Sequence, residues 1–213
     1  MKRSLILLLL NLFVSQGALA DKPKAFLINY DRPLDSLNVF TQTGYVYFEF
    51  AFLAFDRLLQ ENPNTGELEP GLAESWQISK DKSSVVFRLR KNVRFHDGKP
   101  ITAEDIKFSW DVHNDPRYKS ILGNSVSKSV KIEVIDPHTV RAILPYPSVS
   151  LFLSVGFWTH ILPKHYYGDL TKEAEWRNNV VGSGPYKVTG FTTSKKIDLE
   201  RNSDWWGFQI KSG

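Results

Sequence analysis

The sequence predicts an α/β protein, and three observations carry that prediction. Apolar and polar residues alternate in Ser84–Arg90, in Val130–Val134 and again in Val140–Leu144, which is the period of half-buried strands. Between these stretches Thr102-Ala103-Glu104-Asp105 has the form of a capping box, the signature of a helix N-terminus. Turn-forming clusters separate the segments: Asn62–Gly66, Asp97-Gly98 and Asp136–Thr139. With 213 residues the chain can bury a substantial core.

In order, Met1-Lys2-Arg3 is basic, Ser4–Val14 is apolar apart from Asn11, and Ala18-Leu19-Ala20 is a small-x-small site. This is the pattern of a secretory signal peptide over residues 1–20, with a mature chain from Asp21. Its apolar core is too short to span ~30 Å of hydrocarbon, which takes about 20 residues. Ala25–Asn29 reads as a buried first strand, and Asp31–Thr43, with Pro33, as a loop. Tyr45–Gln60 is apolar on every side of a helical wheel, which predicts a helix enclosed by the core. Asn62–Gly66 then reverses the chain, and Leu68 and Leu72 return to the core as a short apolar anchor. Val85, Phe87 and Leu89 point inward along a strand, and Asp97-Gly98 turns before Ile101. Thr102 caps a helix carrying Ile106 and Trp110 at i, i+4, which ends at Asn114-Asp115-Pro116. A hairpin follows, with Val130, Ile132 and Val134 opposite Val140, Ala142 and Leu144. Val149–Val155 is a short helix, Thr171–Asn178 a polar helix or turn, and Lys196–Arg201 a strand.

Composition excludes several function classes. There is no cysteine, hence no disulfide, thiolate metal site or cysteine nucleophile. Removing Lys2 and Arg3 from 27 basic side chains leaves 25 against 23 acidic ones, too even a balance to argue for nucleic acid. Aromatic residues make up 13%, with six Trp, a level that suits large cores and binding walls alike.

No catalytic constellation emerges. His160 and His165 are five apart with Pro163 between them, which fails helical metal spacing. His96, beside Asp97 in a turn, reads as a side chain bonded to local backbone. Ser183 lies in Gly-Ser-Gly-Pro, not in a nucleophile elbow. Glu104 and Asp105 sit where a helix dipole favours negative charge. The expectation is a non-enzyme without metal or cofactor.

The wording of the sequence adds more. EPGLAESW at Glu69–Trp76, FxLRxxVxFHDGxPxTAEDxxFSW at Phe87–Trp110, PKH at Pro163–His165, GSGPY at Gly182–Tyr186 and DWWG at Asp204–Gly207 come in that order. Together they resemble family 5 of the extracytoplasmic solute-binding proteins, which serve peptide and nickel ABC importers. The resemblance covers residues 25–207 and implies a fold similar to the type II periplasmic binding proteins, truncated. Residues 21–60 and 181–207 would be portions of the first lobe, residues 61–180 mainly the second lobe, and the C-terminal lobe would be missing. It implies a periplasmic monomer that captures peptides or another small solute and passes them to an inner-membrane ABC permease, without chemistry. It also places Thr43, Gly44 and Tyr45 at the ligand cleft, though Thr43 reads equally well as a plain helix cap. Tyr118 and Trp158 are further cleft candidates, each with core packing as its other reading. A ligand-presenting sensor or chaperone, a nonfunctional truncated fragment and a hydrolase centred on Ser183 are the alternatives.

Overall fold

The computed structural model describes residues 34–42, 45–120 and 129–210. The expected signal peptide, the strand at Ala25–Asn29, Thr43 and Gly44 lie outside these residues. Helix α1 spans Tyr45–Ala54. It buries Tyr47, Phe50, Ala51 and Ala54, an i, i+3, i+4, i+7 stripe, while Phe48, Glu49, Phe52 and Leu53 are only half-buried. The expectation of a longer helix, enclosed on all sides and running to Gln60, is therefore corrected. α1 stops where its last carbonyl bonds to a distant segment: Ala54 O accepts from Ser183 and Gly184. Beyond the helix, Leu58 O accepts from Gly71 and Ala73.

The chain then forms strand β1 (Leu59–Glu61), which pairs antiparallel with β2 (Leu68–Pro70). The turn between them is organised by Asn62. Its side-chain oxygen accepts from the amides of Asn64 and Thr65, and Gly66 takes φ +72. Leu68 and Leu72 return to the core as expected, Leu68 within β2 and Leu72 just after it, where Gly71–Ala73 bonds back to Arg57 and Leu58. β3 (Ala73–Ile78) continues directly and pairs with β4 (Ser84–Leu89).

Helix α2 (Ala103–Asp111) begins with the expected box, the Asp105 carboxylate accepting from Thr102 N–H at 2.9 Å. Short 3-10 turns at Val112–Asn114 and Pro116–Tyr118 follow it. β5 (Lys131–Asp136) and β6 (Thr139–Ile143) complete a four-stranded antiparallel sheet in the order β3-β4-β6-β5. Its register aligns Trp76, Phe87, Val140 and Val134 in one row, and Ile78, Val85, Ala142 and Ile132 in another. Cross-strand rows of this kind are the unit of sheet stabilisation. α2 lies on this sheet through Ile106 and Trp110, whose indole donates to Val130 O at 3.2 Å.

α3 (Val149–Leu153), capped by the Ser148 hydroxyl, widens into a π-helical turn over Ser154–Trp158 that the sequence did not suggest. α4 (Lys164–Tyr167) follows. Of the polar helix or turn expected at Thr171–Asn178 the structure takes the second form, two 3-10 turns at Leu170–Lys172 and Glu175–Arg177, which sink Trp176 into the interior. β7 (Tyr186–Thr192) and β8 (Lys196–Arg201) form an antiparallel hairpin, and α5 (Trp206–Ile210) comes last.

Two cores result. The first is built from Leu58–Ile161 residues of the sheet, α2 and α3. The second gathers Leu37, Phe40, Tyr47, Phe50 and Phe55 around Tyr118, Tyr167 and Trp176, with the β7-β8 hairpin packed against it. Leu162 belongs to the second core and Phe108 packs against it, so α2 and the chain before α4 face both.

Candidate functional site

The quoted sequence motifs meet at one seam between the two cores. Ala54 O receives the amides of Ser183 at 3.1 Å and Gly184 at 3.0 Å. A Cβ on Gly182 would stand 1.9 Å from that same oxygen, so only glycine lets these backbones approach. Asp56 follows, 6% exposed. Its N–H donates to Ser183 Oγ at 3.3 Å, and its carboxylate accepts from the indoles of Trp205 at 2.9 Å and Trp206 at 3.2 Å. Burial pushes the Asp56 carboxyl up to about 6, against the pull of these donors. Arg90 lies over the Trp206 ring at 4.5 Å and donates from Nε to Gly71 O.

His96 joins the seam from the other side. Its N–H donates to Gly182 O at 2.8 Å, and its ring Nε2 sits 3.0 Å from Gly184 O. A carbonyl only accepts, so Nε2 carries the proton. The expectation of a local backbone partner is thus corrected: the partner is 88 residues away, and it is what ties this turn to the Gly-Ser-Gly segment. Burial lowers the His96 pKa to about 4. Nearby, the PKH and TAED segments pair with each other. Asp105 accepts from Lys164 N–H at 3.0 Å, Glu104 meets Lys164 Nζ at 3.0 Å, and Asp97 meets His165 Nε2 at 2.6 Å. These motifs build scaffold. Ser183, 1% exposed, is part of it.

The candidate ligand residues fall elsewhere. Tyr45 is the first residue of α1. The segment before it is anchored by Phe40, whose ring contacts His113, Tyr118, Tyr167 and Trp176 at centroid distances of 5.0–6.0 Å. Tyr118 is 7% exposed and stacks on Trp176, while its edge lines an open hollow with Phe108, Asp111 and Arg117. Trp158 is 52% exposed at the end of the π-helical turn. It packs on Phe157 and Phe52 rather than in the Tyr118 cluster.

Around Trp158 lies a cation that the sequence reading passed over. The Arg57 guanidinium rests on the rings of Phe52 and Phe157 at 4.2 and 4.5 Å. Burial lowers its pKa to about 10 even with Asp56 and Glu61 acting to raise it. His160, 7% exposed, touches Phe52 and Phe55. Burial and the Arg57 charge hold its pKa down to about 3, so the ring is neutral. Only the sequence position of Arg57, a lone basic residue at the end of an apolar run, could have singled it out.

Comparison with known proteins places this architecture. Residues 67–212 match the family described as bacterial extracellular solute-binding proteins, family 5 Middle. The chain belongs to that family. Among similar proteins, di/tripeptide-binding protein 2 of Pseudomonas aeruginosa is 27% identical over 221 residues, covering 93% of this chain and 42% of its own length. OppA of Haemophilus influenzae, solved in complex with RPPGFSPFR, superposes with a TM-score of 0.74 at 25% identity over 84% of this chain and 38% of its own. NikZ of Campylobacter jejuni, solved with Ni(L-His), gives 0.70 at 25% identity over 81% and 34%. The chain therefore spans about two fifths or less of the length of these relatives. Among the described residues no three His, Asp or Glu side chains gather as metal ligands, and no helix is long and apolar enough to cross a membrane.

Proposed function

We propose that this chain is a substrate-binding component of an ABC importer, capturing dipeptides or oligopeptides in the periplasm and delivering them to an inner-membrane permease. The observation that carries the reading is membership of family 5, together with relatives named for peptide binding. Residues 1–20 direct export and the mature chain starts at Asp21. Residues 21–60 and 181–207 contribute to the first lobe and residues 61–180 mainly to the second. The other wall of the cleft comes from the part of the relatives' length that this chain does not span. Binding is reversible and involves no covalent step. Lobes of this kind close on ligand by hinge motion, and an extended peptide bonds to exposed backbone as an added strand would. Thr43, Gly44 and Tyr45 line the cleft, with Tyr118 and Trp158 as further contacts. The seam supports this reading, since a hinged binder needs a rigid base and Asp56, Ser183 and the two indoles supply one.

Calorimetry with a defined mixture of di- to pentapeptides tests the proposal, alongside mass spectrometry of ligands carried through periplasmic purification. Saturable heat from peptides and co-purified peptides are expected. Binding confined to metal chelates or sugars would overturn the peptide assignment. N-terminal sequencing of periplasmic protein should read from Asp21, and a sequence from Met1 would refute processing.

A further inference from the structure

We propose that Phe52, Arg57, Phe157, Trp158 and His160 form a binding site for a carboxylate attached to an aromatic or other apolar group. The inference shares Trp158 with the reading above but does not depend on peptide capture or on a permease.

Arg57 is a cation in want of an anion. Two phenyl rings cover its flat surface, which leaves its N–H donors along the edge. Nη1 is buried and donates to no group among the described residues. No carboxylate among them stands within ion-pair distance of Arg57. Asp56 is sequence-adjacent but has its oxygens taken by two indoles, and Glu61 is exposed to solvent. A buried, unpaired donor on a charged group is costly, so the group gains most from a partner that is itself charged.

A second orphan packs against the same ring as the first. His160 is 7% exposed, and its Nε2 is buried without a partner among the described residues. Phe52 touches both groups, 4.2 Å from the guanidinium carbon and 5.7 Å from the imidazole centroid. A neutral imidazole with the proton on Nε2 donates one hydrogen bond. Guanidinium and imidazole N–H together suit the two oxygens of one carboxylate.

The wall of the site explains the rest of the ligand. Trp158 exposes half its surface, at 4.9 Å from Phe157 and 6.4 Å from Phe52 by ring centroid. A large indole left in water next to a desolvated cation offers stacking to a ring or packing to an alkyl group. Inorganic anions would use Arg57 alone and ignore this wall.

N-acetyl-L-phenylalanine and its uncharged analogue N-acetyl-L-phenylalaninamide are the probes, titrated into the full chain by calorimetry and by two-dimensional NMR of the indole N–H signals. The acid is expected to bind about tenfold tighter than the amide or better, one charge-assisted contact being worth at least that factor. Arg57→Gln should erase the preference, while Trp158→Ala should weaken both probes alike. Arg57→Lys keeps the charge without the fork and should retain only part of the preference, so the inference stays testable if the Gln variant fails to fold. Equal binding of acid and amide, binding of neither at concentrations on the order of 10 mM, or an undiminished preference in folded Arg57→Gln would overturn it. Peptide capture is judged on a mixture without regard to this preference, so the two readings can fail separately.

Discussion

The Asp56 carboxylate accepts the Trp205 indole N–H at 2.9 Å, joining the end of α1 to a residue 149 positions later in the chain. Trp206 donates to the other carboxylate oxygen at 3.2 Å. One acidic side chain thus holds two aromatic residues against the seam, and Arg90 covers the second of them. Asp56→Asn leaves one carbonyl oxygen for two donors, and its own amide N–H group must face an indole. An unsatisfied buried donor costs roughly 1–3 kcal/mol. The expected loss is about 2 kcal/mol, roughly 4–8 °C for a chain of this size. Thermal unfolding followed by circular dichroism checks it. An unchanged midpoint would mean that the two indoles are held by packing alone.

Gly182 and Gly98 make opposite tests of what glycine does here. A methyl at Gly182 would stand 1.9 Å from Ala54 O, which is fixed backbone. Gly182→Ala should therefore break the paired hydrogen bonds from Ser183 and Gly184 and cost about 3 kcal/mol or more. Gly98 has open space around it but a φ of +85. Gly98→Ala should cost only about 1 kcal/mol, the strain of a left-handed residue. Urea denaturation of both variants ranks them, and the reverse order would contradict the close approach at the seam.

How much of this was legible in the sequence depended on whether the cause was local. Val85, Phe87 and Leu89 declare the sheet because alternation needs no distant partner, and Thr102 with Asp105 declares the start of α2 for the same reason. The end of α1 is not local. It is set by Gly182-Ser183-Gly184, and the Asp56–Ser183 bond spans 127 positions. His96 also looked self-contained while its ring reached Gly184. The motifs pointed to the family, and their residues turned out to build the seam. Arg57 and His160 carried no spacing signal, since their relation exists only after Phe52 and Phe157 are brought together.

Ser183→Ala separates a structural hydroxyl from a reactive one. Ser183 Oγ receives the Asp56 N–H at 3.3 Å, and the residue is 1% exposed. Removing it leaves a buried amide without that acceptor, an expected loss of about 1 kcal/mol. Ligand affinity should stay within a factor of two of the parent chain at matched folded fraction. Esterase or peptidase turnover that disappears in the variant would instead make Ser183 a nucleophile.

Acid should loosen the fold, and three histidines set the sign. Burial holds His96 and His113 down to about 4 and His160 down to about 3, against an ordinary value near 6.5. A group depressed in the folded state contributes stability that is present above the unfolded pKa and lost as pH falls toward the folded one. For these rings that window opens below pH 6.5 and extends to about 4. Asp56 works in the opposite sense. Its carboxyl, raised to about 6 by burial, is more easily protonated when folded, so its contribution grows as pH drops from 6 toward 3.8. Three groups oppose one, and the histidines begin to act first. The unfolding midpoint should fall between pH 7.5 and pH 5, and the slope should lessen in His160→Phe, which places a non-titrating ring beside Phe52 and Phe55. In Asp56→Asn the acid-induced fall should become steeper, because the opposing contribution is gone. Midpoints measured at half-unit pH steps decide the matter, and a parent chain that gains stability over this range would show that Asp56 dominates.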